Sequence, residues 1–136
     1  MLIRPQVLIL ASRYDFTCDY VIAALRSEGT EYLRLNVEDL PTLSIIFDPL
    51  RRSVSGTLGS ESFEINPSCL LSIYFRQPVF LREASTTPRS AHDIFARTQW
   101  AAFIRSFLVF DCRWMNHPAA TYVAEEMKDP DRTLPL

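Results

Sequence analysis

The sequence predicts a three-layer α/β domain: a mainly parallel sheet with helices on both faces and an antiparallel meander at one edge. Three observations carry this expectation. An apolar run, a helix-spaced stretch and an alternating strand follow one another within about thirty residues, the signature of a parallel βαβ unit. A second apolar run at residues 69–75 is of the type buried on both faces of a sheet. A long amphipathic stretch and a last short strand come after it.

The first run, "VLILA" at 7–11, reads as a strand buried on both faces. "SRYDFT" turns the chain and offers Asp15 or Thr17 as a helix cap. Cys18, Val21, Ile22 and Leu25 then recur at helical spacing, and Gly29 supplies a left-handed stop. "EYLRLN" at 31–36 alternates as the second strand. Three short segments, 43–47, 51–58 and 62–65, are separated by Asp48-Pro49 and Gly59-Ser60, two turn signals. They predict the meander, and their serines and charges place one of its faces in water.

"CLLSIYF" at 69–75 returns to the buried type and is followed by an irregular loop, residues 78–90. Loops of that length are usually functional or mobile. Ser90 and Asp93 form a capping-box pattern before a helix expected over 91–110. Its apolar stripe is Ala96, Trp100, Phe103, Ile104, Phe107 and Leu108. "RWMN" at 113–116 reads as the last strand, and "AATYVAEEMK" at 119–128 as a helix. The expected division is an α/β domain over 1–118 and a C-terminal helix and tail over 119–136.

The bulk numbers narrow the function classes. The 136 residues allow one domain with a real core. A formal net charge of −2 gives no pull toward nucleic acid. "FIRSFLVF", the most apolar later stretch, is interrupted by Arg105 and too short to span a bilayer. Met-Leu-Ile-Arg-Pro does not open a signal-type apolar region. Three widely spaced cysteines read as reduced core thiols, which points to the cytoplasm.

Chemistry-bearing patterns are sparse. The first βα turn, "ASRYDFTCD", lacks the glycines that let backbone N–H groups cradle a phosphate, so a P-loop is excluded and a dinucleotide site is not expected. The turn also lacks the acid cluster of a phosphorylation receiver. His92 and His117 do not have metal-ligand spacing. No serine or cysteine nucleophile signature occurs. No complete catalytic constellation is therefore predicted.

One position stands out. In "SIYFRQP" a strand of buried type hands over Arg76 at its exit, where a guanidinium needs solvent, an acid or a ligand. In one reading Arg76 pairs with an acid such as Glu83 or Asp111, or with the helix end above it. In the other it faces an open cleft at the carboxyl edge of the sheet, where open α/β sheets bind ligands. The open cleft is the expectation adopted here, because Pro78 ends the strand and sends the chain into a loop. Arg13 and Asp15 share that edge after the first strand, and Asn116 and His117 share it after the last. Local turn and capping duty is the bland alternative for these four.

The order and spacing of "VLILASRYDFTCDYVIAAL", "EYLRLN", "SIYFRQP" and "RWMNHPAATYVAEEMK" resemble the N-terminal pre-ATP-grasp domain of the ATP-grasp ligases that macrocyclise ribosomal peptides, the microviridin or graspetide synthetases. Tyr74, Phe75, Arg76 and Pro78 match that family's aromatic-Arg-Arg-Pro strand end. Trp114, Met115, Asn116, Pro118, Ala124 and Lys128 match its Trp-hydrophobic-Asn-x-Pro strand and the helix after it. Gln77 replaces the second arginine, and Thr98 and Gln99 stand where the family often has glutamate. The family continues well beyond "DPDRTLPL" with its nucleotide and metal residues.

The resemblance therefore implies a Rossmann-like pre-ATP-grasp fold and a chain that does not activate a carboxylate alone. ATP and Mg²⁺ would belong to the full-length family only. The function it implies is a non-catalytic module that binds an acidic precursor peptide or a ligase partner. Contacts would fall at Arg76, Tyr74, Arg13, Asp15, Asn116 and His117, and a homodimer is expected. The rival readings are a small hydrolytic or transfer enzyme using Arg13, Asp15, Arg76 and His117, and a remnant without a separate role.

Overall fold

The structure, a computed structural model, describes residues 1–76 and 90–116, the side chains of Asp93 and Arg97 excepted. Its framework is a four-stranded, fully parallel sheet. The strands are β2 (Val7–Ala11), β3 (Tyr32–Asn36), β7 (Ser72–Phe75) and β8 (Arg113–Met115), in the order β3-β2-β7-β8. Helix α1 (Thr17–Ser27) makes the crossover from β2 to β3. Helix α2 (Ala91–Ser106) precedes β8.

Strand alternation sends the residues of this sheet to two opposite cores. Leu8, Leu10, Leu33, Leu35, Ile73 and Phe75 are buried against Trp100, Phe103, Ile104 and Phe107. Ile9 and Ala11 point the other way and are buried with Cys18, with Ile22, Leu25 and Tyr74 packed around them. The predicted α/β layering, with a helix on each face, is therefore present.

The meander residues form a sheet of their own. Strands β4 (Ser44–Asp48), β5 (Ser53–Leu58) and β6 (Glu61–Ile65) pair antiparallel. A strand not anticipated from sequence, β1 (Leu2–Ile3), adds parallel to β6. Val54, Phe63 and Ile65 carry this sheet into the α2-side core. Ser44, Ser53, Ser55, Thr57, Ser62 and Glu64 occupy alternate positions on its opposite face. Gly56 lets β4 and β5 meet, since a Cβ there would lie 2.2 Å from the backbone oxygen of Ser44.

Two elements differ from expectation in an instructive way. The α-helix ends at Ser106 and the chain continues as a 3₁₀ turn, Phe107–Val109. Tightening from 3.6 to about 3 residues per turn rotates Leu108 outward. Leu108 is 45% exposed, and Phe110 takes a buried place instead. Ala96 is exposed as well. Strand β7 starts only at Ser72, because the Asn66 side chain accepts the N–H groups of Ser68 and Cys69 and holds the preceding residues in a turn. Gly29 does end α1 as expected, at φ +70°.

The loop at 78–90 lies outside the described residues except for Ser90, and so do the helix read at 119–128 and the domain boundary at 118. No helix among the described residues is long and apolar enough to cross a membrane.

Candidate functional site

Parallel strands all point their carboxyl ends to one edge, and the β2–α1 loop, Ser12–Phe16, crosses that edge. Two arginines from flanking strands reach this loop. Both lie on the α1 face of the sheet, alternating with leucine or phenylalanine on the other face.

Arg34 of β3 donates from Nη2 to the carbonyl oxygens of Ser12 (2.8 Å) and Asp15 (3.3 Å). Its Nη1 bonds Asp19 Oδ1 at 2.8 Å, and its Nε bonds Asn36 Oδ1 at 2.8 Å. The Arg34 side chain is only 15% exposed. On the same side of the loop, Glu38 accepts the Ser12 hydroxyl and, at 3.0 Å, the N–H of Arg13. The Arg13 guanidinium reaches Asp39 at 3.3 Å.

Arg76 closes the other side. It leaves β7 with its own N–H bonded to Leu10 O at 2.8 Å. Its Nε donates to Asp15 Oδ2 at 2.7 Å and its Nη2 to Asp15 Oδ1 at 3.3 Å, a bidentate pair. The guanidinium also lies over the Tyr74 ring, 5.8 Å from its centroid. Asp15 Oδ1 further accepts the N–H of Thr17, which fixes the start of α1.

This corrects the expectation of an unpartnered Arg76 above an open cleft. The acid is Asp15, from the neighbouring βα loop, rather than Asp111; Glu83 lies outside the described residues. The pairing follows from topology: β2 and β7 are adjacent, so the loop after β2 hangs beside the exit of β7. Some reach remains, since the Arg76 side chain is 31% exposed against 12% for Asp15. Nη1 has no hydrogen bond among the described residues.

The edge thus brings Asp15, Arg76 and Tyr74 together, with Arg13 across the loop from them. Asn116 follows the adjacent strand in a left-handed conformation, φ +61°, and makes no hydrogen bond to this group. His117 lies outside the described residues. Sequence reading passed over Arg34, Ser12 and Glu38. The signal for Arg34 was available, because an arginine between Leu33 and Leu35 in a strand poses the same question as Arg76.

Electrostatics limit the chemistry of these groups. Burial pushes the Asp15 carboxyl up, but the hydrogen bond and charge of Arg76, with the N–H groups of Thr17 and Cys18, outweigh it and hold it below its ordinary value. Glu38 is likewise raised by burial and lowered further by the Ser12 hydroxyl and the Arg13 N–H, with a net downward shift. The Cys18 thiol is pushed up, first by burial and then by the Asp15 carboxylate. Asp15 and Glu38 are therefore weak bases near neutral pH, and Cys18 is a poor nucleophile. No three His, Cys, Asp or Glu side chains among the described residues cluster to hold a metal.

A pH dependence follows. Near pH ~4 the unfolded chain binds more protons than the folded one at both carboxyls, so stability rises with pH there. Their contribution is complete above that region and lost as pH falls through the depressed folded values. The melting temperature should drop between about pH 5 and pH 2, and Asp15→Asn should make the drop shallower. An equally steep profile in Asp15→Asn would contradict the pairing.

In open parallel α/β sheets ligands bind at the carboxyl edge, and in this chain that edge carries Arg13, Arg34 and Arg76. Solved structures share this fold. Part of several macrocyclases and RiPP-associated ATP-grasp ligases has the same fold as this chain. Macrocyclase MdnB from Microcystis aeruginosa matches 89% of this chain at 20% identity, with a TM-score of 0.57. MdnC from the same organism, bound with precursor peptide MdnA, matches 90% at 14% identity and a TM-score of 0.64. The ATP-grasp ligase PsnB, complexed with a minimal precursor, matches 93% at 13% identity and a TM-score of 0.62. The chain spans about two-fifths of these ligases, 41%, 38% and 40% of their lengths. No protein-family model and no curated protein matches the sequence. The resemblance read from the motifs thus holds at the level of fold.

Proposed function

We propose that this chain is a non-catalytic module of the pre-ATP-grasp type that binds an acidic peptide at the carboxyl edge of its parallel sheet. The observation that carries the reading is Arg76: a guanidinium oriented by Asp15, stacked on Tyr74, partly exposed, with Nη1 still able to donate. A carboxylate from outside completes such a group without disturbing the internal pair. Arg13, on the other side of the loop, adds positive charge to the same edge. The match to ligases solved with precursor peptides supports a peptide as the ligand class. In this reading ATP and Mg²⁺ are handled by ligase parts other than these residues, the module works in the cytoplasm, and a homodimer is its assembled form.

Titration of a short glutamate-rich synthetic peptide, followed by fluorescence anisotropy, tests it. Arg76→Lys keeps one charge beside Asp15 but loses the planar fork, and should weaken binding by about fivefold to tenfold. A glutamine-for-glutamate peptide should bind weakly to both proteins. Equal affinity for the acidic and neutral peptides would refute the proposal.

A further inference from the structure

The half of the parallel sheet that α1 leaves uncovered forms a groove of about 440 Å³. Val21 and Leu25 of α1 line one wall, Val7 lies at its end, and Tyr74 and Met115 line the other. Ser72, Ile73, Arg113 and Trp114 complete the lining. The register explains this composition, because Ser72 opposes Arg113 and Tyr74 opposes Met115, so all four project to the α1 face. The groove is thus apolar with one cation at its rim. Arg113 is exposed and has no ion pair among the described residues. Tyr74 belongs to two places at once, since its ring lines the groove and carries the Arg76 guanidinium.

We infer that this groove receives a bulky apolar side chain of the same acidic peptide whose carboxylate meets Arg76, with a second carboxylate of that peptide on Arg113. The inference rests on the peptide-binding reading and narrows it to a ligand class: an apolar residue flanked by acids. Charge complementarity selects this ligand. Arg76 and Arg113 stand on either side of an apolar space, so a purely apolar or a purely acidic segment leaves part of the surface unmatched. The volume lies within the range of ligand clefts, roughly 300–1,000 Å³. It suits one aromatic or branched side chain with its neighbours.

Two synthetic peptides test this on the full chain, one of glutamate and glycine around a single phenylalanine, the other with alanine in its place. The phenylalanine peptide should bind about tenfold more tightly at low salt, the gain expected from burying one large apolar side chain. Met115→Glu, at an exposed position in the groove, should reduce that advantage to within about twofold, while Arg113→Ala, also exposed, should weaken both peptides by removing the partner of the second carboxylate. Arg76→Lys should weaken the two peptides alike.

Equal binding of both peptides to the parent, a phenylalanine advantage that survives Met115→Glu, or binding that Arg113→Ala leaves unchanged would overturn the groove assignment alone. Groove dependence with no effect of Arg76→Lys would uphold the groove and overturn the carboxyl-edge reading. Absence of binding by either peptide would overturn both. Hydrogen-exchange protection over residues 21–25 in the free protein, lost in Met115→Glu, would place another part of the chain or a second copy in the groove and also overturn it.

Discussion

Arg34→Ala is expected to be the most damaging single change at the carboxyl edge, lowering stability by about 3 kcal/mol. Its guanidinium supplies four hydrogen bonds, two of them to the carbonyls of Ser12 and Asp15. Truncation leaves those carbonyls short of donors beside the start of α1 and leaves the Asp19 carboxylate without its cation. An unsatisfied buried polar group costs about 1–3 kcal/mol, and a carboxylate that loses its partner adds to that. In a domain of this size the loss corresponds to a melting-point drop of roughly 9–15 °C. Asp19→Ala should cost much less, since the Asp19 side chain is 61% exposed and exposed pairs contribute about 0–1 kcal/mol. Thermal unfolding followed by circular dichroism separates the two. A drop no larger in Arg34→Ala than in Asp19→Ala would show that the backbone bonds to the loop carry little.

Arg76→Ala comes second, at about 2 kcal/mol, or roughly 6–10 °C. A free arginine over an open cleft would have cost almost nothing to remove, and that is the point on which the Asp15 pairing reverses the sequence-based expectation. The magnitude sits between two limits. Breaking a fully buried pair costs about 3–5 kcal/mol, while a solvent-exposed one contributes about 0–1. The pair here is lopsided: Asp15 is nearly enclosed and Arg76 is partly open. The main penalty falls on the Asp15 carboxylate left without its bidentate donor. Asp15→Asn should soften the effect of Arg76→Ala, and a double-mutant cycle should return a coupling of about 1–2 kcal/mol. Additive losses would mean that the two side chains act separately.

How much of this was legible in the sequence depended on the range of each interaction. Strand "VLILA" coincides with β2 residue for residue, because period and composition are local properties. The α/β class followed from the same kind of signal. β1 was not legible, since two residues have no period and their partner, β6, lies about sixty residues away. The 3₁₀ turn at Phe107–Val109 escaped because a helical stripe read at 3.6 residues per turn simply runs on through Phe107 and Leu108. At the site, the exit of Arg76 from β7 was visible as an anomaly, but its partner was not. Asp15 is 61 residues distant, and only the adjacency of β2 and β7 brings the two together. Arg34 was visible in the same way, as an arginine between two buried leucines, but its partners were not: only the register shows that this face looks onto the β2–α1 loop.

The central claim is that Arg76 is an anchored cation whose remaining N–H groups take a carboxylate from outside. Guanidinium-detected nitrogen-15 NMR of the full chain tests it most directly. In the free protein the Arg76 Nε–H should exchange slowly with water, unlike that of exposed Arg51, and Asp15→Asn should speed its exchange. On addition of a glutamate-rich peptide the Nη1 resonance should shift while the Nε–H signal stays in place. An Arg76 Nε–H that exchanges as fast as that of Arg51, or a guanidinium spectrum that acidic peptide leaves unchanged, would contradict the account.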